Sequence, residues 1–172
     1  MMANTTGNPA DDHIYIAIQR FLNREGDCLD RRAFREWLDL WSDDLHYRVT
    51  AQVNQDATSG TLEYPIIDED AVGLKARIDQ ISNPRLTHAE NPPTLVRRFF
   101  SNLLVERGEG PNDYVAKSNI LVYRTRSKLP DGSLYAGVRQ DVLSCGDGNW
   151  RLMRRSVCLD QTVLVGSLSV IF

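Results

Sequence analysis

The chain has 172 residues with ordinary hydrophobic (42%) and charged (25%) fractions, enough for one soluble domain with its own core. A net charge of −3 argues against a nucleic-acid binder, and the pairs Arg97-Arg98 and Arg154-Arg155 are too short to form a basic stripe. No apolar run approaches a membrane span and Met1–Ala10 lacks a hydrophobic signal region; with three widely spaced cysteines that fit reduced thiols, a cytosolic address is expected.

Residues 1–11 are expected to be a loose tail ahead of a single domain over 12–172. Asp11-Asp12 opens a helix to about Asp27, with Ile14, Ala17, Ile18, Phe21 and Leu22 on one face and Gly26 as its stop. A second helix is expected from Asp30, as N-cap, to Trp41. Phe34, Trp37, Leu38 and Trp41 form its apolar stripe. The two tryptophans fit core packing, with an aromatic ligand box as the alternative. Ser42-Asp43-Asp44 leads into a strand over Leu45–Val53, followed by a polar loop from Asn54 to Gly60. Asp68-Glu69-Asp70 then starts a third helix, lined by Ala71, Leu74, Ile78 and Ile81 and ended before Pro84.

After an irregular stretch from Arg85 to Pro93, three turn signals divide the rest: Gly108–Asp113, Leu129–Gly132 and Gly146–Asn149. They mark strands Thr94–Arg107, Tyr114–Arg126, Ser133–Cys145 and Trp150–Asp160, with Gln161–Phe172 as a fifth. Short connections favour antiparallel neighbours. In Ser133–Cys145, the alternation puts Leu134, Ala136, Val138 and Val142 on a core face and Arg139 and Asp141 on a wet one. Neighbouring apolar residues such as Phe99-Phe100 and Leu121-Val122 point to opposite faces, so both faces need cover. Phe99, Leu121 and Tyr123 are therefore subunit-interface candidates, or else plain core.

Helices followed by an antiparallel sheet read as α+β. The order matches the cone-shaped, nuclear-transport-factor-2-like fold, with N-terminal helices packed on a strongly curved, mostly antiparallel sheet. Catalytic candidates are few. The histidines are His13, His46 and His88, and no C-x-x-C pair, Gly-rich phosphate loop or nucleophile elbow occurs. Asp44 and His46 alternate along one strand face, and His88 could reach the mouth of a cone. Such a His–carboxylate set could transfer protons as in a stand-alone lyase or isomerase. A dimeric module binding an apolar ligand is a third possibility.

Four blocks resemble one family. They are Arg32-Ala33-Phe34-Arg35-Glu36-Trp37-Leu38-Asp39-Leu40 with Asp43–Tyr47; His88–Pro92 with Arg97–Asn102; Ser118–Arg124; and Trp150–Leu152 through Leu159–Gln161 to Leu168–Phe172. In this order they resemble the small (beta) subunits of bacterial aromatic-ring-hydroxylating dioxygenases. Arg48-Val49-Thr50, Thr94-Leu95-Val96 and Val165-Gly166-Ser167 depart from the common pattern and leave the substrate open. The resemblance implies a cone fold and a large (alpha) oxygenase subunit as partner, carrying a 2Fe–2S Rieske cluster and a mononuclear Fe(II). It also implies an α3β3 hexamer with other beta subunits. Such enzymes insert both atoms of dioxygen into an aromatic ring to give a cis-dihydrodiol, with electrons from NADH. No catalytic, cofactor or metal residue carries over to this chain.

Overall fold

A computed structural model of the protein describes residues 10–53, 62–83, 85, 93–125, 132–161 and 170–172. The elements are α1 (Asp12–Asp30), α2 (Phe34–Leu38), β1 (Trp41–Val53), β2 (Leu62–Asp70), α3 (Ala71–Ser82), β3 (Leu95–Arg107), β4 (Asp113–Thr125), β5 (Ser133–Gly146) and β6 (Asn149–Leu159). The strands form one curved, unclosed sheet in the order β2-β1-β6-β5-β4-β3. Every neighbour pair is antiparallel except β1 with β6, which run parallel and join the β1–β2 pair to the β3–β6 meander. The architecture is α+β as expected, and the expected strands of the meander begin and end within one residue of the observed ones.

The helical boundaries differ from expectation. α1 does not stop at Gly26, because Cys28 and Leu29 bury a further turn against the core. Gly26 is there for contact: a Cβ at this position would lie 2.9 Å from the Phe100 ring. Asp30 is the last residue of α1 rather than an N-cap, and its carboxylate takes the Arg98 guanidinium at 2.6 Å. The second helix shrinks to Phe34–Leu38, since the Leu40 carbonyl accepts from Leu152 N–H at 2.8 Å and draws Trp41 into β1. Trp37 and Trp41 pack edge to face in the core with centroids 4.5 Å apart, so the core reading of this pair holds.

β2 was not expected at all. Residues 61–67 carry no assignment from the sequence and Asp68–Asp70 reads as a helix start, yet the stretch Leu62–Asp70 pairs with β1. Pro65 is tolerated because β2 is an edge strand. At its end Asp70 does cap α3, accepting from Gly73 N–H at 2.8 Å. The opposite edge, β3, is protected. Arg98 N–H donates to the Asp30 carboxylate, and the Val105 carbonyl accepts from Ala10 N–H. A bulge between Ser101 and Leu104, with Asn102 at φ 53°, breaks its register. Most of the expected fifth strand, 162–169, lies outside the described residues, as do the loop 54–60 and Pro92. Val170, Ile171 and Phe172 are irregular and buried in the core.

The largest correction concerns β5, whose faces are inverted. Tyr135, Gly137, Arg139, Asp141 and Leu143 point inward, while Leu134 and Val138 are exposed. Gly137 fixes this packing, because a Cβ there would sit 2.2 Å from the Cys158 carbonyl oxygen on β6. Gly137→Ala should therefore force the β5–β6 backbones apart and lower stability by about 1–3 kcal/mol, measured by urea unfolding; an unchanged midpoint would show that the strands part without strain.

Candidate functional site

In a cone-shaped fold the concave side of the sheet is where a pocket would form. Here it holds a closed set of charges. Glu25 from α1, Arg139 and Asp141 from β5, and Arg155 from β6 are all fully buried. Glu25 falls on the apolar stripe of α1, four residues after Phe21 and three after Leu22. The β5–β6 hairpin sets Asp141 directly opposite Arg155. Arg155 binds Asp141 as a fork, Nε to Oδ1 at 2.8 Å and Nη2 to Oδ2 at 3.0 Å, and its Nη1 donates to Glu25. Arg139 Nη2 lies 3.2 Å from Glu25 Oε2 and 2.8 Å from Asp141 Oδ2, and its guanidinium stacks 4.2 Å over the Phe100 ring. The Trp37 indole N–H completes the Glu25 carboxylate at 2.8 Å.

The end of the described chain closes the space. The Phe172 main-chain oxygen accepts from Arg155 at 2.8 Å, and Phe172 N–H donates to the Tyr47 hydroxyl at 2.9 Å. The Phe172 ring meets Tyr135 edge to face at 5.7 Å. Beside it, Arg98 donates to the Ile171 carbonyl at 3.0 Å. The electrostatics follow from this packing. Burial pushes the Glu25 carboxyl up, but Arg155 and then Arg139 outweigh it and hold it at about 2. Burial pushes the Tyr47 hydroxyl up to about 12. Burial pulls Arg155 down, and Asp141 and Glu25 more than reverse this, so it stays a cation. Two guanidiniums and two carboxylates face one another in this network.

The expected proton-transfer residues lie elsewhere. Asp44 and His46 do share a face and line one cleft of about 290 Å3, but on the outer side of the sheet. His46 Nε2 is 2.6 Å from Asp68 Oδ1, both side chains half exposed. His88 lies outside the described residues. The interior is filled by Trp37, Tyr47, Phe172 and the charge network, so the enclosed pocket required by the lyase and apolar-ligand readings is occupied by the chain itself. Among the described residues, no three His, Cys, Asp or Glu side chains converge as a metal site requires. Three signals for the network stood in the sequence: a carboxylate on an apolar helix stripe, charges at i and i+2 in a β-rich strand, and a partner across a short hairpin.

The interface candidates are exposed on that outer side: Phe99 at 57%, Leu121 at 40% and Tyr123 at 39%. They are contiguous through the strand register. Phe99 pairs with Leu121, which pairs with Ala136, and Tyr123 pairs with Leu134. With Val138, they make an apolar surface across three strands.

Removing one member of the buried network strands the others. Glu25→Gln should lower stability by about 3–5 kcal/mol, read by urea unfolding. The same variant reports a pH dependence. The native Glu25 value is depressed from 4.5 to about 2, so its contribution is complete above about 4.5 and lost as pH falls toward 2. Stability of the natural chain should fall with acid across that window, and the fall should be shallower in Glu25→Gln; equal slopes would remove Glu25 from the account.

Comparison with known proteins agrees with this architecture. The sequence model of the family described as ring hydroxylating beta subunit matches residues 24–165. The chain is 32% identical to the biphenyl 2,3-dioxygenase subunit beta of Rhodococcus jostii, over 95% of this chain and 91% of that protein. A structure of naphthalene 1,2-dioxygenase with indole bound in the active site contains a chain that superposes with a TM-score of 0.86 at 21% identity, covering 96% of this chain and 89% of that one. A putative scytalone dehydratase from Novosphingobium aromaticivorans superposes with a TM-score of 0.60 at 16% identity over 86% of this chain and 84% of that one, which places the fold in the cone-shaped class. With a family match over most of its length, this chain belongs to the beta subunits of ring-hydroxylating dioxygenases.

Proposed function

We propose that this chain is a non-catalytic subunit that holds together the oxygenase of an aromatic-ring-hydroxylating dioxygenase. The observation that carries this reading is a filled interior beside a bare outer face: apolar side chains and the buried charge network occupy the interior, and an apolar surface of Phe99, Leu121, Tyr123, Leu134 and Val138 is left on the outside. An exposed patch of this kind marks a protein contact. Its partners are the large alpha subunit and other beta subunits, in an α3β3 hexamer. The alpha subunit holds the 2Fe–2S Rieske cluster and the mononuclear Fe(II), and there both atoms of dioxygen enter the aromatic ring to give a cis-dihydrodiol. This chain contributes rigidity and contact area. It supplies no side chain to the reacting atoms.

Two measurements test the reading. After co-expression with the alpha subunit, Phe99→Asp or Leu121→Arg should weaken assembly about thirtyfold or more, read by size-exclusion chromatography with light scattering, while circular dichroism of the isolated chain is unchanged. Full assembly by both variants would remove the outer face from the interface. In the assembled enzyme, Asp44→Asn with His46→Ala should leave turnover per iron within about twofold, the size of a surface substitution. A hundredfold loss would make this chain catalytic after all.

A further inference from the structure

A second surface stands apart from the outer face. α1 carries Arg20 and Arg24, one turn apart on its exposed side. Opposite them, at the start of β6 just past the β5–β6 turn, stand Trp150 and Arg151. Between the two lies an open groove of about 430 Å3, with Phe21 and Trp150 among its lining residues. Trp150 is half-buried and braced edge to face against Tyr114 at 5.5 Å, so it is a fixed aromatic wall. Three guanidiniums line this groove against one carboxylate, that of Asp39, on a chain whose net charge is −3.

Among the described residues Arg35 and Arg154 are unpaired as well but lie outside this groove, whereas four other surface arginines are already paired. Arg31, Arg48, Arg97 and Arg107 each face a carboxylate within 4 Å. Among the described residues, Arg20 and Arg24 have no ion-pair or hydrogen-bond partner. Arg151 is held toward the groove by donating Nη1 to the Asp39 main-chain oxygen, which leaves the rest of its fork available. A guanidinium fork matches a carboxylate. The aromatic wall suits an apolar side chain between two acids. A nucleic acid would need a basic stripe continuing beyond the groove, and the acidic balance of the chain does not supply one.

We propose that the groove between α1 and the β5–β6 turn receives an acidic segment of a protein partner, its carboxylates on Arg20, Arg24 and Arg151 and an intervening apolar side chain against Trp150. The contact is separate from the outer sheet face and goes beyond the assembly reading above.

The test uses the full chain and a fluorescein-labelled Glu-Leu-Glu-Leu-Glu peptide, with anisotropy as the readout. The peptide should bind, more weakly as salt rises, and a Lys-Leu-Lys-Leu-Lys peptide should not. Arg20→Gln/Arg24→Gln should weaken binding about fivefold, while Arg31→Gln, on a paired arginine at the end of the same helix, binds as the natural chain does. Phe99→Asp should leave peptide binding unchanged even where it abolishes assembly, so the two surfaces fail separately. No binding of the Glu-Leu peptide, equal loss in Arg31→Gln, or equal affinity for tripolyphosphate would overturn the proposal; the last would make the groove a generic anion trap.

Discussion

The structure depends on a buried four-charge knot. Glu25, Arg139, Asp141 and Arg155 come from one helix and two strands, and none touches water. Each ion taken alone would be costly to bury, and pairing with the others offsets that cost, with Arg139 Nε and Nη1 left without a hydrogen-bond partner among the described residues. The fork between Arg155 and Asp141 fixes the β5–β6 pair. The Glu25 bonds fix where α1 lies across the sheet. Trp37 donates to Glu25, the Phe172 main-chain oxygen accepts from Arg155, and Tyr47 holds Phe172, so α2, β1 and the last described residues are anchored at the same point. Such a network need not add net stability over an apolar core of the same volume. What it does here is define one arrangement of helix and sheet, since any slip leaves a bare charge in the interior.

From that knot the distribution of polarity follows. Inward positions of β5 carry Arg139 and Asp141 between Tyr135 and Leu143, and Leu134 and Val138 are turned outward. Phe99, Leu121 and Tyr123 on neighbouring strands join them through the register. A sheet that shows hydrocarbon on its bare face as well as burying it in the core departs from a half-wet antiparallel sheet. Such a bare apolar face fits the proposed role as a subunit of a larger assembly. A stand-alone cone enzyme would need the opposite, an empty interior lined by its catalytic groups.

The cone-shaped fold thus serves two ends by one change of filling. Where the concave side is left open it can hold a small molecule. In this chain an arginine pair, two carboxylates, two tryptophans and a phenylalanine take up the room. Asp44 and His46, which would have to face a pocket, are displaced to the convex side, where His46 is engaged with Asp68.

Much of this was legible in the amino-acid sequence. Local turn chemistry at Gly108–Asp113 and Gly146–Asn149 bounded β3 to β6, the apolar period marked α1 and α3, Asp70 announced its cap, and four short blocks pointed to the family. These features rest on neighbours within a few residues of one another, so the sequence determined them alone. It could not decide which face of β5 turns inward, because alternation reads the same from either side and the choice rests on Glu25, 114 residues from Arg139 and 130 from Arg155. Nor could it reveal β2, whose acids read as a helix start until β1 pairs with them, or the early end of α2, decided by Leu152 N–H donating to the Leu40 carbonyl. In each case the deciding partner is distant along the chain and close only after folding, so the tertiary structure alone could choose.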